Sequence, residues 1–172
     1  NRAIEQEALT KGIKLDIKQI KQQKVISECD KHLNRLQYAK NELQSIFPLT
    51  EAKYTNLSSE EVQDIDQLIY RFSKLQDTIG NKLIKMVFAL YEEDVAKFTF
   101  IDVLNRLEKA DILIANEWKE LREIRNILSH DYEDDPTSSV AILNRLYEKE
   151  IILEKIYLTI KSTLGYDRMR GF

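Results

Sequence analysis

The chain has 172 residues, 32% of them charged, with four glycines, two prolines and a net charge of −3. This length suits one domain, or a small domain with an appended helix, and is enough to bury a core without disulfides or metals. Such sparse turn punctuation excludes a β-sandwich or an α/β fold, and the slight acidic balance excludes a polycation, so any contact with nucleic acid needs a local basic patch.

Five helices are predicted in chain order. The first covers about residues 1–46, where Ile26, Cys29, Leu33, Leu36, Leu43 and Phe47 recur at near-heptad spacing and Lys40 interrupts them. Gly12 is placed to bend or divide it. Its N-terminal part carries a lysine stripe (Lys11, Lys14, Lys18, Lys21) opposite Ile13, Ile17 and Ile20. Such a face can track an RNA backbone, grip a partner, or simply be solvated. The apolar side needs burial, against the bundle or across a dimer. His32 lies among Asp30, Lys31 and Asn34 and is read as a surface residue. Cys29 is the only cysteine and is read as a buried thiol in a reducing compartment.

Pro48 stops the first helix, and residues 47–59 read as a polar loop. Ser58 and Glu61 form a capping-box pattern that opens the second helix. Ile65, Leu68, Phe72, Leu75, Ile79, Leu83, Met86 and Leu90 then follow helical steps. Gly80 lies inside this helix, where it costs about 1 kcal/mol relative to alanine; that implies close approach of another helix. A short helix is predicted over 100–110 and a fourth over 116–132, with Trp118, Leu121, Ile124, Ile127 and Leu128 on its apolar face. The fifth starts at "DDP" (134–136), with an Asp cap and Pro at the first helical position. Val140, Leu143, Tyr147, Ile151, Ile156, Ile160 and Leu164 carry it onward, and the ending from Gly165 is expected to fray. The fold class is therefore all-α: an antiparallel four- or five-helix bundle with a long N-terminal helix. Residues 1–57 form the N-terminal helix and loop packing on the bundle, 58–165 the helical core, and 166–172 a tail.

Two histidines and one cysteine do not make a zinc site of the usual kind, and no glycine-rich phosphate loop or nucleophile elbow is present. Asp131, Glu133, Asp134 and Asp135 could hold Mg²⁺, but two of them also serve as cap residues, and no metal or other cofactor is expected. No apolar run approaches the ~20 residues of a membrane span, and no signal-peptide pattern opens the chain, which begins at Asn1 rather than Met. The expected address is the cytoplasm.

The remaining stretch is "RNILSHDY", Arg125 to Tyr132. On a helix Asn126 and His130 share a face, and Arg125 shares a stripe with Tyr132, close to Ser129 and Arg122. Arg125 and His130 are separated by about 140° on an ideal helix, so they meet at one phosphate only through a bend or a second copy of the helix. From spacing alone the plainer reading is structural: His130 caps carbonyls, Arg125 pairs with an acid, and Tyr132 packs at a bundle end. The residue types also suit phosphate chemistry, because guanidinium matches phosphate oxygens and imidazole moves protons.

"RNILSH" resembles the R-x4-6-H motif of the HEPN superfamily of small helical-bundle proteins, including the polar residue after the arginine, here Asn126. Extended to Tyr132 it resembles the R-x4-H-x-Y form of HEPN toxins paired with minimal nucleotidyltransferase (MNT) antitoxins. "RFSKLQDTIGNKL" (71–83) and "FIDVLNRLEKADIL" (100–113) also look like bacterial HEPN proteins, and the resemblance spans about residues 60–164. It implies a metal-independent endoribonuclease toxin acting as a homodimer on RNA, with Arg125, Asn126 and His130 as catalytic residues. It also implies an MNT-type nucleotidyltransferase antitoxin as partner and AMP addition to Tyr132 as the silencing step. Ser129, Asp77 and Arg71 are supporting candidates; Asp77 could orient Arg125, or form an ordinary pair within the bundle. The alternative is a non-catalytic HEPN module that binds nucleotide or nucleic acid as companion of a nucleotidyltransferase. A third reading is a helical interaction protein in which the motif is incidental.

Overall fold

The computed structural model describes residues 1–130 and 132–166, the side chain of Leu15 excepted. Among these residues every regular element is helical: α1 (Arg2–Glu42), α2 (Glu51–Thr55), α3 (Ser59–Thr78), a π turn (Ile79–Leu83), α4 (Ile84–Phe88), a 3₁₀ turn (Val95–Lys97), α5 (Phe100–Lys109), α6 (Ala115–Leu128) and α7 (Pro136–Thr163). Helix starts follow cap chemistry. Ser58 accepts from the Glu61 backbone N–H while the Glu61 carboxylate accepts from the Ser58 N–H. Thr99 and Asp102 build the same box at α5, and Asp135 caps α7 with Pro136 in its first turn.

The core lies where α1, α3, α6 and α7 face one another. Ile26, Cys29, Leu33, Leu36 and Leu43 are buried along one side of α1, against the α3 series Leu68, Phe72 and Leu75. Burial, reinforced by the neighbouring Glu28 and Asp30, pushes the Cys29 thiol up to about 12. Leu90, Ile127 and Ile151, expected on core stripes, are instead substantially exposed, because each lies at the edge of its stripe or beyond a helix end. Among the described residues no helix is long and apolar enough to cross a membrane.

Several expectations are corrected. Only the second half of α1 packs on the bundle: every described side chain from Asn1 to Lys21 is exposed. The segment 47–59 is not all loop, since α2 forms within it behind a Thr50 cap. It is pinned by Asn144 of α7, which accepts from the Leu49 N–H at 2.7 Å and donates to the Leu49 carbonyl at 2.9 Å. His32 is not a surface residue but 7% exposed, with Arg71 Nη1 donating to its Nδ1 at 2.9 Å. Burial and then the Arg71 charge hold its ring below the usual histidine range, so it serves as a neutral acceptor. Tyr166, expected in the frayed tail, is buried. Gly165 takes a positive φ of 90°, and its N–H donates to Ser162 while the Tyr166 N–H reaches back to Lys161, a Schellman closure. Positions 167–172 of the tail lie outside the described residues.

The α1–α7 contact carries buried charge. Lys161 binds Asp30 at 2.9 Å, and Tyr157 donates to the same carboxylate at 2.6 Å. Glu150 is fully buried with Lys40 Nζ at 2.5 Å. Burial outweighs the lysine and, with Glu154 alongside, raises the Glu150 carboxyl to about 8. The folded state thus holds a proton that the unfolded chain releases near pH 4.5, and stability contributed here falls as pH rises from about 4.5 to about 8. Glu150→Gln should remove this slope. Melting curves of the two proteins should diverge by several degrees between pH 5 and 8, and parallel curves would refute the assignment.

Candidate functional site

Polar residues of the RNILSHDY stretch are displayed by a buried anchor. Trp118, Leu121, Ile124 and Leu128 fix α6 in the core, leaving Arg122, Asn126 and Ile127 outside. The helix ends at Leu128, earlier than expected. The Ser129 hydroxyl donates to the Asn126 carbonyl at 2.7 Å, and the His130 N–H donates to Ile127 at 3.2 Å. Ser129 thus closes the helix end, and His130 stands exposed just past it.

Across from α6 the π turn inserts an extra residue per turn into what is otherwise one helix from α3 to α4. It brings Gly80 against Trp118, so closely that a Cβ on Gly80 would lie 3.1 Å from the indole. The close approach anticipated at Gly80 is therefore present, and its partner is α6. π turns recur at functional sites because they redirect side chains off the regular helical stripe.

Between α6 and the π turn lies a cleft of about 540 Å³. Arg122, Arg125 and Asn126 line one wall, Asp77, Asn81 and Lys85 the other, and Trp118 and Gly80 lie between them. Three cations thus face one carboxylate. Arg125 Nη2 donates to Asp77 Oδ2 at 3.0 Å, with both side chains about one-third exposed. This ion pair holds the guanidinium plane and leaves Arg125 Nε buried without a partner among the described residues; the Trp118 Nε1–H is unpartnered too. Both of these N–H groups lie beneath the cleft surface; it is the excess of cations lining the cleft that suits an anionic ligand.

His130 is not in this cleft. It lines an adjoining concavity of about 360 Å³ with Lys119, Arg122, Glu123, Asn126 and Ile127. Arg122 and Asn126 form the ridge common to both. One protomer therefore brings together Arg125, Asn126 and Asp77, and sets His130 on the far side of Asn126, as the angular separation on a helix requires.

Tyr132 is half-buried against the core, and its hydroxyl donates to Glu133 at 3.3 Å. Its carbonyl accepts from the Ser139 hydroxyl, tying the α6–α7 connection to α7. Burial, then the Glu133 and Asp66 carboxylates, hold the phenol well above the usual tyrosine range. Arg71 takes no part in the site, because it points to His32 beneath α1, six residues and about a third of a turn round the helix from Asp77. Asp131, one of the acids considered for Mg²⁺, lies outside the described residues. Among the described residues no three His, Cys, Asp or Glu side chains are grouped to hold a metal ion.

Of the wall opposite α6, sequence reasoning picked out Asp77 as a residue that could orient Arg125, and the 3.0 Å pair is present; Asn81 and Lys85 were overlooked. Asp77, Asn81 and Lys85 repeat at four-residue spacing, a polar stripe that flanks the internal glycine and could have marked a lined cleft. Comparison of the chain with protein-family models, with curated proteins and with solved structures finds no match.

Proposed function

We propose that the chain is a metal-independent endoribonuclease of the HEPN toxin type, cleaving RNA at a cleft formed when two α6 surfaces meet about a two-fold axis. The observation that carries this reading is the polar run Arg122, Arg125, Asn126 and His130, arranged along two adjoining concavities on α6 and just past its end. RNA cleavage by the 2′-hydroxyl needs a proton acceptor, a proton donor for the 5′ oxygen and positive charge on the pentacovalent phosphorus. His130 from each copy supplies acceptor and donor. Arg125, held by Asp77, supplies the charge, and Asn126 orients the phosphate. In this reading a minimal nucleotidyltransferase partner silences the site by adenylylating Tyr132, whose oxygen attacks the α-phosphate of ATP and expels pyrophosphate. The deciding experiment is cleavage of a mixed RNA pool in excess EDTA by unmodified protein. Fragments from the wild type and none from His130→Ala support the reading, and equal turnover by both sinks it.

One observation favours a binding-only alternative: the larger cleft contains Arg125 and Asn126 but not His130. A non-catalytic companion of a nucleotidyltransferase would retain nucleotide there without turnover. Saturable binding that Arg125→Ala abolishes, with no cleavage by the wild type, would establish that reading instead.

A further inference from the structure

The first half of α1 is about 30 Å of helix whose described side chains are all exposed. In proteins most helical stability comes from packing an apolar face rather than from propensity. Among its described residues four of the open large aliphatic side chains form a stripe: Leu9 is 63% exposed, Ile13 53%, Ile17 49% and Ile20 52%. Stepped at about 100° per residue, the four fall within about 80° of one another. The same stepping puts them about half a turn from the Ile26–Leu36 stripe that faces the core. The arm therefore cannot fold this stripe onto its own bundle without rotating the whole helix.

We propose that the arm is a dimerisation element, in which the Leu9–Ile13–Ile17–Ile20 stripe packs antiparallel on the same stripe of a second copy of this chain. The charges select the occupant and its direction. Arg2 and Lys24 continue the stripe at its two ends, so parallel pairing would stack Arg2 on Arg2 and Lys24 on Lys24. Antiparallel pairing with Leu9 opposite Ile20 and Ile13 opposite Ile17 sets Glu5 opposite Lys24, while Glu28 stays beside His32 and Lys82 of its own bundle. Lys11 and Lys18 lie on the reverse side and remain hydrated in either case. Ile4, 70% exposed, lies off the stripe and is not used. No residue of α6 takes part, so this association and the one required for RNA cleavage are separable.

The test is sedimentation of the intact chain beside Ile13→Glu/Ile17→Glu. The wild type should self-associate through the arm, in addition to any pairing through α6. The double variant should lose this association by about 100-fold or more while retaining the bundle's melting temperature, since both positions are exposed. Direction is read by cross-linking. Glu5→Cys and Lys24→Cys proteins, mixed and oxidised, should give the mixed disulfide well above either homodimer, and buried Cys29 contributes no background. Glu5→Lys should weaken the dimer and Glu5→Lys/Lys24→Glu should restore it. A wild type that stays monomeric at its highest soluble concentration would overturn the proposal. So would a dimer indifferent to the double variant, homodimeric disulfides as the main product, or an arm that associates only when RNA is added.

Discussion

Substituting His130 with alanine should lower RNA cleavage by about 10²–10⁴-fold, the usual loss when a positioned proton-transfer group is removed. The fold should not notice. The imidazole lies past the end of α6, exposed, and makes no hydrogen bond within the described structure, so no cap or core contact disappears with it. The melting temperature should stay within the scatter of a surface substitution. Arg125→Ala is the instructive contrast. It should also suppress cleavage, but it leaves Asp77 without its 3.0 Å partner and removes packing from the cleft wall. A modest stability loss should therefore accompany its activity loss. Arg125→Lys keeps the charge but not the fork, and cleavage should recover only in part. Full activity in Arg125→Lys would mean that the guanidinium geometry is immaterial.

Trp118→Ala should be the most destabilising change near the site, by about 3–5 kcal/mol, against the roughly 5–15 kcal/mol that holds a domain of this kind folded. The indole is 1% exposed and lies between the π turn and the α6 face, so its loss opens a cavity where the two walls of the cleft meet. Trp118→Phe separates size from polarity: it keeps most of the volume and deletes a buried N–H that has no partner, so its cost should be much smaller. Urea unfolding followed by far-UV circular dichroism reads both, since Trp118 is the only tryptophan and its emission would be lost in either variant. Equal losses in the two variants would show that packing volume is not what Trp118 contributes.

What the sequence made legible was local. Helix starts at Ser58 and Asp135 were readable because a cap is a pattern of neighbours, and Gly80 was readable as a close approach because an internal glycine has a local cost. The all-helical class followed from period and punctuation. What escaped notice depends on residues far apart in the chain. His32 has acidic and basic neighbours in sequence, but its burial is decided by Arg71, 39 positions away. Arg71 looked like a site residue for the same reason, since nothing local says that it points beneath α1. The π turn shifts the register between α3 and α4, and no periodicity count made on a regular helix reveals which polar residues it turns toward Trp118. The arm was the reverse case: its amphipathic pattern was plain and left burial on the bundle or across a dimer open, and the exposure of every described side chain from Asn1 to Lys21 speaks against the first.

Cys29 turns this protein into its own clock. A thiol with no exposed surface, held near pH 12 before it ionises, cannot meet a labelling reagent while α1 stays seated. Modification at neutral pH therefore counts openings of α1 from α3. With a fast reagent the rate is the frequency of opening, and with a slow one it is the fraction of time spent open. The same native chain, untagged and unmutated, thus reports how often its longest helix comes away, and whether a bound partner or ligand slows that event.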